Sequence, residues 1–245
     1  MICLYDGSFK GILSVFDFIF SENKMPTGIT CGNYNADLFS ENETIKTDIA
    51  KTDRFMTLLE KRFNSNMFRN IYLVYLSEFK DFEMDLYRYL SDAFKIGVAI
   101  DGHLHLPSVA RIKTIISKVL QEAHVLKGFL RFSKLKSGIM YCSFTPDYFV
   151  LPLLASHFKR RFPSFDWVIH DIKRKKALFY ENKKCEIVDV INVDIEDKDS
   201  HENDIESLWK TFFETISVKS RQNLKLQDRM LPKRYRKNML EFRAN

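Results

Sequence analysis

Six histidines stand at 103, 105, 124, 157, 170 and 201, and they are the first places to look for proton transfer or metal ligation. Asp101-Gly102-His103-Leu104-His105 puts two imidazoles one residue apart, a spacing that metallohydrolases use. More ligands would be needed, no HExxH is present, and the run leads into Pro107-Ser108 and a helix. A loop is therefore expected here, and no metal. His170-Asp171 pairs an imidazole with a carboxylate, but strand neighbours point to opposite faces, so the two diverge and each needs a distant partner. His124 falls in a last helical turn, where a cation suits the helix dipole. The functional alternative has His124 and Arg131 facing one groove and holding an anion. His124, His170 and Asp171 are thus the catalytic candidates, with no complete catalytic motif around them, and the residues leave open whether the protein is an enzyme.

The cysteines, at 3, 31, 142 and 185, are too scattered for a zinc knuckle or an iron-sulfur cluster in sequence order. Reduced, buried thiols are expected, and no cofactor.

Phosphate chemistry has more candidates. The chain of 245 residues carries a formal net charge of +6, which permits an anionic partner without demanding one. Distribution is more telling. On a helix that turns Leu151, Leu154, Ala155, Phe158 and Phe162 inward, Lys159, Arg160 and Arg161 form an exposed cationic ridge. Lys173, Arg174, Lys175 and Lys176 sit at the tip of a hairpin. Residues 219–243 hold nine basic side chains against Asp228 and Glu241. There Arg221, Lys233, Arg234 and Arg236 supply donors for phosphate beside Gln222 and Asn223, and Tyr235 supplies a ring for stacking. Upstream, residues 186–206 carry nine carboxylates against Lys198, an acidic stretch that can neutralise the tail and does not follow the EF-hand pattern.

These groups need elements to position them. Residues 124–180 read as a β-β-α-β-β unit: strands over 129–132 and 139–144, the basic helix, then a second strand pair. Before it, Val109, Ile112, Ile116, Val119, Ala123 and Leu126 mark a helix over 107–127 with Gly128 as its stop. At the start, Met1 to Tyr5 alternates as a strand, Asp6-Gly7 turns it and Ser8 caps a helix with Phe9, Ile12, Leu13, Phe16 and Phe20 on one face. A lone Gly7 without GK[ST] is a turn rather than a phosphate loop. Residues 21–50 read as a long polar connection, 48–63 and 66–94 as helices, and Ile205 to Ile216 as an amphipathic helix around Trp209. The fold class expected is α+β, with small antiparallel sheets packed against several amphipathic helices and subdomains over 1–85 and 86–245. No secretory signal or bilayer-length apolar run is visible, so a soluble cytoplasmic protein without a membrane partner is expected. Oligomeric state is not encoded legibly.

The residues also carry a resemblance. Lys127-Gly128-Phe129-Leu130-Arg131-Phe132, Pro146-Asp147, Val150-Leu151-Pro152-Leu153-Leu154-Ala155, His157-Phe158, Arg160-Arg161-Phe162-Pro163, Trp167, Ile169-His170-Asp171, Arg221-Gln222-Asn223 and Leu231-Pro232-Lys233-Arg234-Tyr235 resemble a bacterial domain-of-unknown-function family. Its members carry a DNA-metabolism label. Tyr5-Asp6-Gly7-Ser8-Phe9 resembles the family's opening. The resemblance implies DNA as a partner and a second partner, a radical-SAM protein that acts in DNA modification or repair. Longer members continue into a uracil-DNA-glycosylase domain, which is not expected within this chain. Arg236 departs from the family pattern, which favours tryptophan after Arg-Tyr. Three readings follow: a DNA-repair accessory binding nucleic acid through a basic surface, a module docking the radical-SAM partner without touching DNA, and an enzyme acting on a modified or damaged base.

Overall fold

The computed structural model describes residues 1–32, 42–63 and 65–190 together with Tyr235. Arg221, Lys233, Arg234 and Arg236, the Trp209 helix and all but the first carboxylates of the acidic stretch lie outside the described residues. The chain divides into two compact units, Met1–Leu120 and Gln121–Asn245. The class is α+β.

In the first unit, β1 (Ile2–Tyr5) leads into α1 (Phe9–Ser21). Alternation buries Cys3 and Tyr5 on one side of the strand, and Ser8 Oγ caps the helix by accepting from Gly11 N at 2.9 Å. Asp6 braces the turn: its carboxylate accepts from Ser8 N at 2.9 Å, Ser8 Oγ at 2.7 Å and Thr47 Oγ1 at 2.6 Å. The Thr47 bond leads in holding its pKa below the usual value. A side chain at Gly11 would drive a Cβ to 2.2 Å from Asp6 Oδ1, so this close approach requires glycine.

β2 (Gly28–Cys31) and β3 (Asn42–Thr44) flank β1 in the order β2-β1-β3, and both pair with it in parallel. This corrects two expectations. Residues 21–50 contain two strands, which are too short for their alternation to stand out, and this sheet is parallel because α1 carries the chain back over it. α2 (Ile49–Arg62), capped by Asp48, lays Phe55 and Leu59 against α1, where Ile12, Phe16 and Ile19 are buried. Each such side chain contributes about 1.5–3 kcal/mol by leaving water. Arg54 on α2 makes a two-pronged ion pair with Asp17 on α1.

The helix expected over 66–94 is two, α3 (Ser65–Tyr75) and α4 (Phe82–Ile96). The break falls where Glu78 and Asp81 take left-handed backbone, with φ of 48° and 59°. Apolar periodicity runs on across it, which is why pattern alone joined the two. A 3-10 turn (Val98–Gly102) then leads to α5 (Pro107–Phe129), in which the division between the units falls.

In the second unit, α5 runs on to Phe129, so Gly128 is not its stop and no strand occupies 129–132. The strand there is β4 (Ser133–Lys134), followed by β5 (Met140–Phe144), α6 (Leu151–Arg161), β6 (Trp167–Asp171), β7 (Lys176–Glu181) and β8 (Lys184–Asp189). The sheet order is β4-β5-β6-β7-β8. All neighbours are antiparallel except β5 and β6, which α6 joins as a crossover and which therefore pair in parallel. The sheet is thus mixed rather than antiparallel. β8 takes up the first carboxylates of the acidic stretch, Glu186 and Asp189, because register with β7 decides there over local charge.

Leu151, Leu154 and Phe158 form the buried stripe of α6. Trp167 lies beneath, stacked on Tyr180 with ring centroids 5.0 Å apart and met edge-on by Phe132 and Phe158. Among the described residues no helix is long and apolar enough to cross a membrane.

Candidate nucleic-acid interface

α6 buries one stripe, and its opposite side carries Lys159, Arg160 and Arg161, all exposed. The β7–β8 hairpin brings a further cation to them. Asn182 and Lys183 make its two-residue turn with φ of 50° and 64°, the doubly left-handed geometry that matches strand twist. Ser156, Lys159, Arg160, Pro163, Tyr180 and Lys183 line one open recess of about 490 Å³. Three cations from two elements, with a serine hydroxyl beside them, can take a phosphate through charge and hydrogen bonds, while Tyr180, 3% exposed and stacked on Trp167, forms the floor. Lys183 was missed in the sequence reading. The Asn-Lys pair between two alternating runs is the turn signal that could have found it.

His157, one position along from Ser156, is affected by the same cations. Burial lowers its pKa, and Lys127, Arg161 and Arg160 lower it further, in that order. Its Nε2 is buried with no hydrogen-bond partner among the described residues.

The other sequence candidates are occupied in different ways. Arg131 turns its Nη1 back to donate to Gly128 O at 2.7 Å and Leu130 O at 3.3 Å, closing the end of α5. Lys173 Nζ donates to Asp147 O at 2.9 Å, Lys176 Nζ pairs with Asp189, and Lys175 is exposed. Arg174, expected among the phosphate-binding cations of the hairpin tip, is covered. Its side chain is 8% exposed and pairs at 2.9 Å with Asp171, which is fully buried, and its Nη2 donates to Asp147 O at 2.7 Å. Arg174 thus ties the hairpin to the loop after β5. Tyr235 is also corrected: it is 4% exposed and its hydroxyl donates to Glu122 Oε1, so its ring has no open face for a base. Glu122, on α5, also accepts from Asp147 N and Tyr148 N at 2.8 Å each.

His170 and Asp171 diverge as strand alternation requires. His170 Nδ1 bonds the Tyr141 hydroxyl at 2.8 Å on one face, while Asp171 faces Arg174 on the other. Burial lowers the His170 pKa against the pull of Asp171. Burial raises that of Asp171, and the Arg174 guanidinium and backbone N–H oppose it. His124 is exposed on α5. Among the described residues no hydrogen bond or ion pair joins these three into a relay. His103 and His105 have ring centroids 5.5 Å apart, in the turn before α5, with His103 Nδ1 at 3.0 Å from Ala99 O. No group of three or more His, Cys, Asp or Glu among the described residues is placed to hold a metal.

Comparison with known proteins adds one finding. No match was found among curated proteins or among solved structures. The family described as DUF4130, a domain of unknown function, matches residues 80–241, a span that includes α6, the five-stranded sheet and the cationic recess. Since that span is well over half of its length, the chain belongs to the DUF4130 family.

Proposed function

We propose that this protein is a nucleic-acid-binding accessory of DNA metabolism, holding phosphates at the recess between α6 and the β7–β8 turn. The observation that carries the reading is the convergence of Lys159, Arg160 and Lys183 around one cavity. None of the three has an acidic partner among the described residues, whereas Arg174 and Lys176 at the neighbouring hairpin are already paired. Ser156 adds a hydroxyl, and charge with hydrogen bonding of this kind suits sequence-tolerant contact with a backbone. The basic residues over 219–243 add to the same charge in sequence. On this reading the protein acts in the cytoplasm beside a radical-SAM partner in DNA repair or modification, as the family resemblance implies.

The test is fluorescence anisotropy of labelled single-stranded and duplex DNA with the full chain at 50 and 200 mM salt, repeated with Lys159→Glu/Lys183→Glu. The expected result is salt-sensitive binding that the double variant weakens at least tenfold. If the full chain fails to bind at the lower salt, or the variant binds as well as the parent, the reading is wrong. In the first case docking to the partner without DNA becomes the leading account.

A further inference from the structure

A second cavity lies in the first unit, and eight of its twelve lining residues precede the span matched by the family, with Lys80 to Glu83 inside it. It sits at the carboxyl ends of the parallel strands β1 and β2, the edge where open parallel sheets place their ligands. Its volume is about 510 Å³, within the range of small-molecule sites. Four aromatic side chains line it, Tyr5, Tyr75, Phe79 and Phe82, and Glu83 faces it from the first turn of α4.

Two of the rings are fixed by their hydroxyls. Tyr5 donates to Glu83 Oε1 at 3.0 Å, and Tyr75 donates to Gly7 O at 3.0 Å across the strand–helix turn. Gly7 itself has φ of +79°, and an added Cβ would lie 3.3 Å from Cys31 Cβ, so this wall is held in place. Residues 78 and 81, on the loop that closes the cavity, take the left-handed backbone described above. The site is built in advance, which lowers the entropic cost of filling it.

Glu83 is the unusual group. It is 6% exposed, yet no cation among the described residues pairs with it, and its one side-chain partner is the Tyr5 hydroxyl. Buried carboxylates are ordinarily paired, because leaving one alone in a poorly polar setting is costly. Burial raises the Glu83 pKa accordingly, and the nearby charge of Asp81 adds to the rise. Of the charged groups lining the cavity, Glu78, Asp81 and Glu83 are acidic and Lys80 alone is basic. One wall ring already attracts cations from its own unit: Arg111 and Lys118 lie 5.6 and 5.3 Å from the Phe79 centroid. Aromatic rings around a carboxylate are the chemistry that recognises an alkylammonium or guanidinium group.

We propose that this cavity binds an organic cation, an ammonium or guanidinium group seated against the aromatic walls with the Glu83 carboxylate as its counter-charge. The inference does not depend on nucleic-acid binding by the other unit. The same chemistry could arrive as a free small cation or as a lysine or arginine side chain on a peptide.

Titration calorimetry of the full chain tests it with choline and methylguanidinium, with Nα-acetyl-lysine amide, and with 3,3-dimethylbutan-1-ol, the uncharged isostere of choline. At least one cation is expected to bind tenfold or more tightly than the uncharged isostere; Nα-acetyl-lysine amide as the tightest would point to a side chain on a partner. Glu83→Gln, which keeps the volume and an oxygen for Tyr5, is expected to lose at least tenfold. Should that variant fold poorly, Cys31→Lys supplies a tethered cation at the exposed rim and is expected to abolish choline binding while the melting profile stays intact. Equal binding of choline and its isostere, no binding of any cation, or undiminished binding by a folded Glu83→Gln would overturn the proposal.

Discussion

Arg174 and Asp171 show how a residue's surroundings decide its role. In sequence Arg174 is one of four adjacent cations; in the folded chain it is the partner of a fully buried carboxylate. Asp171→Asn is expected to destabilise the protein by about 3–5 kcal/mol in urea denaturation, since it leaves a covered guanidinium without its counter-charge. Replacing both members, Asp171→Leu with Arg174→Met, should cost less than the single change, and a double-mutant cycle measures the difference. His170 gives a pH signature. Its native pKa is depressed by burial, so the unfolded chain binds a proton more readily. The stability it contributes is present above the ordinary histidine range, about 6.5, and is lost as pH falls through the lower native value. His170→Gln should therefore lessen the drop in stability between pH 7 and pH 5. That His170 and Asp171 point apart was legible from alternation alone. Their partners Tyr141 and Arg174 were not, because a partner across strands is set by register, and register depends on where β5 and β6 begin.

At the scale of elements, the β7–β8 turn supports a prediction that separates stability from binding. Lys183 holds left-handed backbone, a conformation costing a side-chain-bearing residue about 1–2 kcal/mol. Lys183→Gly is expected to stabilise the protein by about 0.5–1 kcal/mol, part of the relief being offset by the freedom glycine gains in the unfolded chain. The same change should weaken DNA binding if the recess holds phosphate. Thermal melts and anisotropy on one variant check both, and a variant at once less stable and unaltered in binding would contradict both assignments. α1, α2 and α6 were readable from sequence because each carries an uninterrupted apolar stripe and, in α1 and α2, a side-chain cap. β2, β3 and β4 were not. They are two to four residues long, and their identity lies in backbone pairing rather than in side-chain pattern. The end of α5 was misread for a related reason: Gly128 is tolerated inside a helix, where it takes no left-handed backbone.

For the molecule as a whole, net charge and its placement set the salt response. A formal +6 spread evenly would give weak, diffuse attraction, whereas cations gathered at one recess release counter-ions together. If three phosphates are held at Lys159, Arg160 and Lys183, the logarithm of affinity should fall with the logarithm of salt at a slope of about −2 to −3. A shallow slope near zero would mean that the charge serves solubility instead. The parallel three-stranded sheet has its own consequence, which concerns synthesis rather than the finished protein. β1 occupies the centre, yet both of its neighbours are made after it: Ile2 pairs with Gly28 on one side and Asn42 on the other. At translation speeds of about 5–20 residues per second, β1 waits roughly 2–8 s for its second partner. Through that interval its amides, with Cys3 and Tyr5, have only α1 and the nascent β2 to cover them. During those seconds the newborn strand can be claimed by a chaperone or by another unpaired strand.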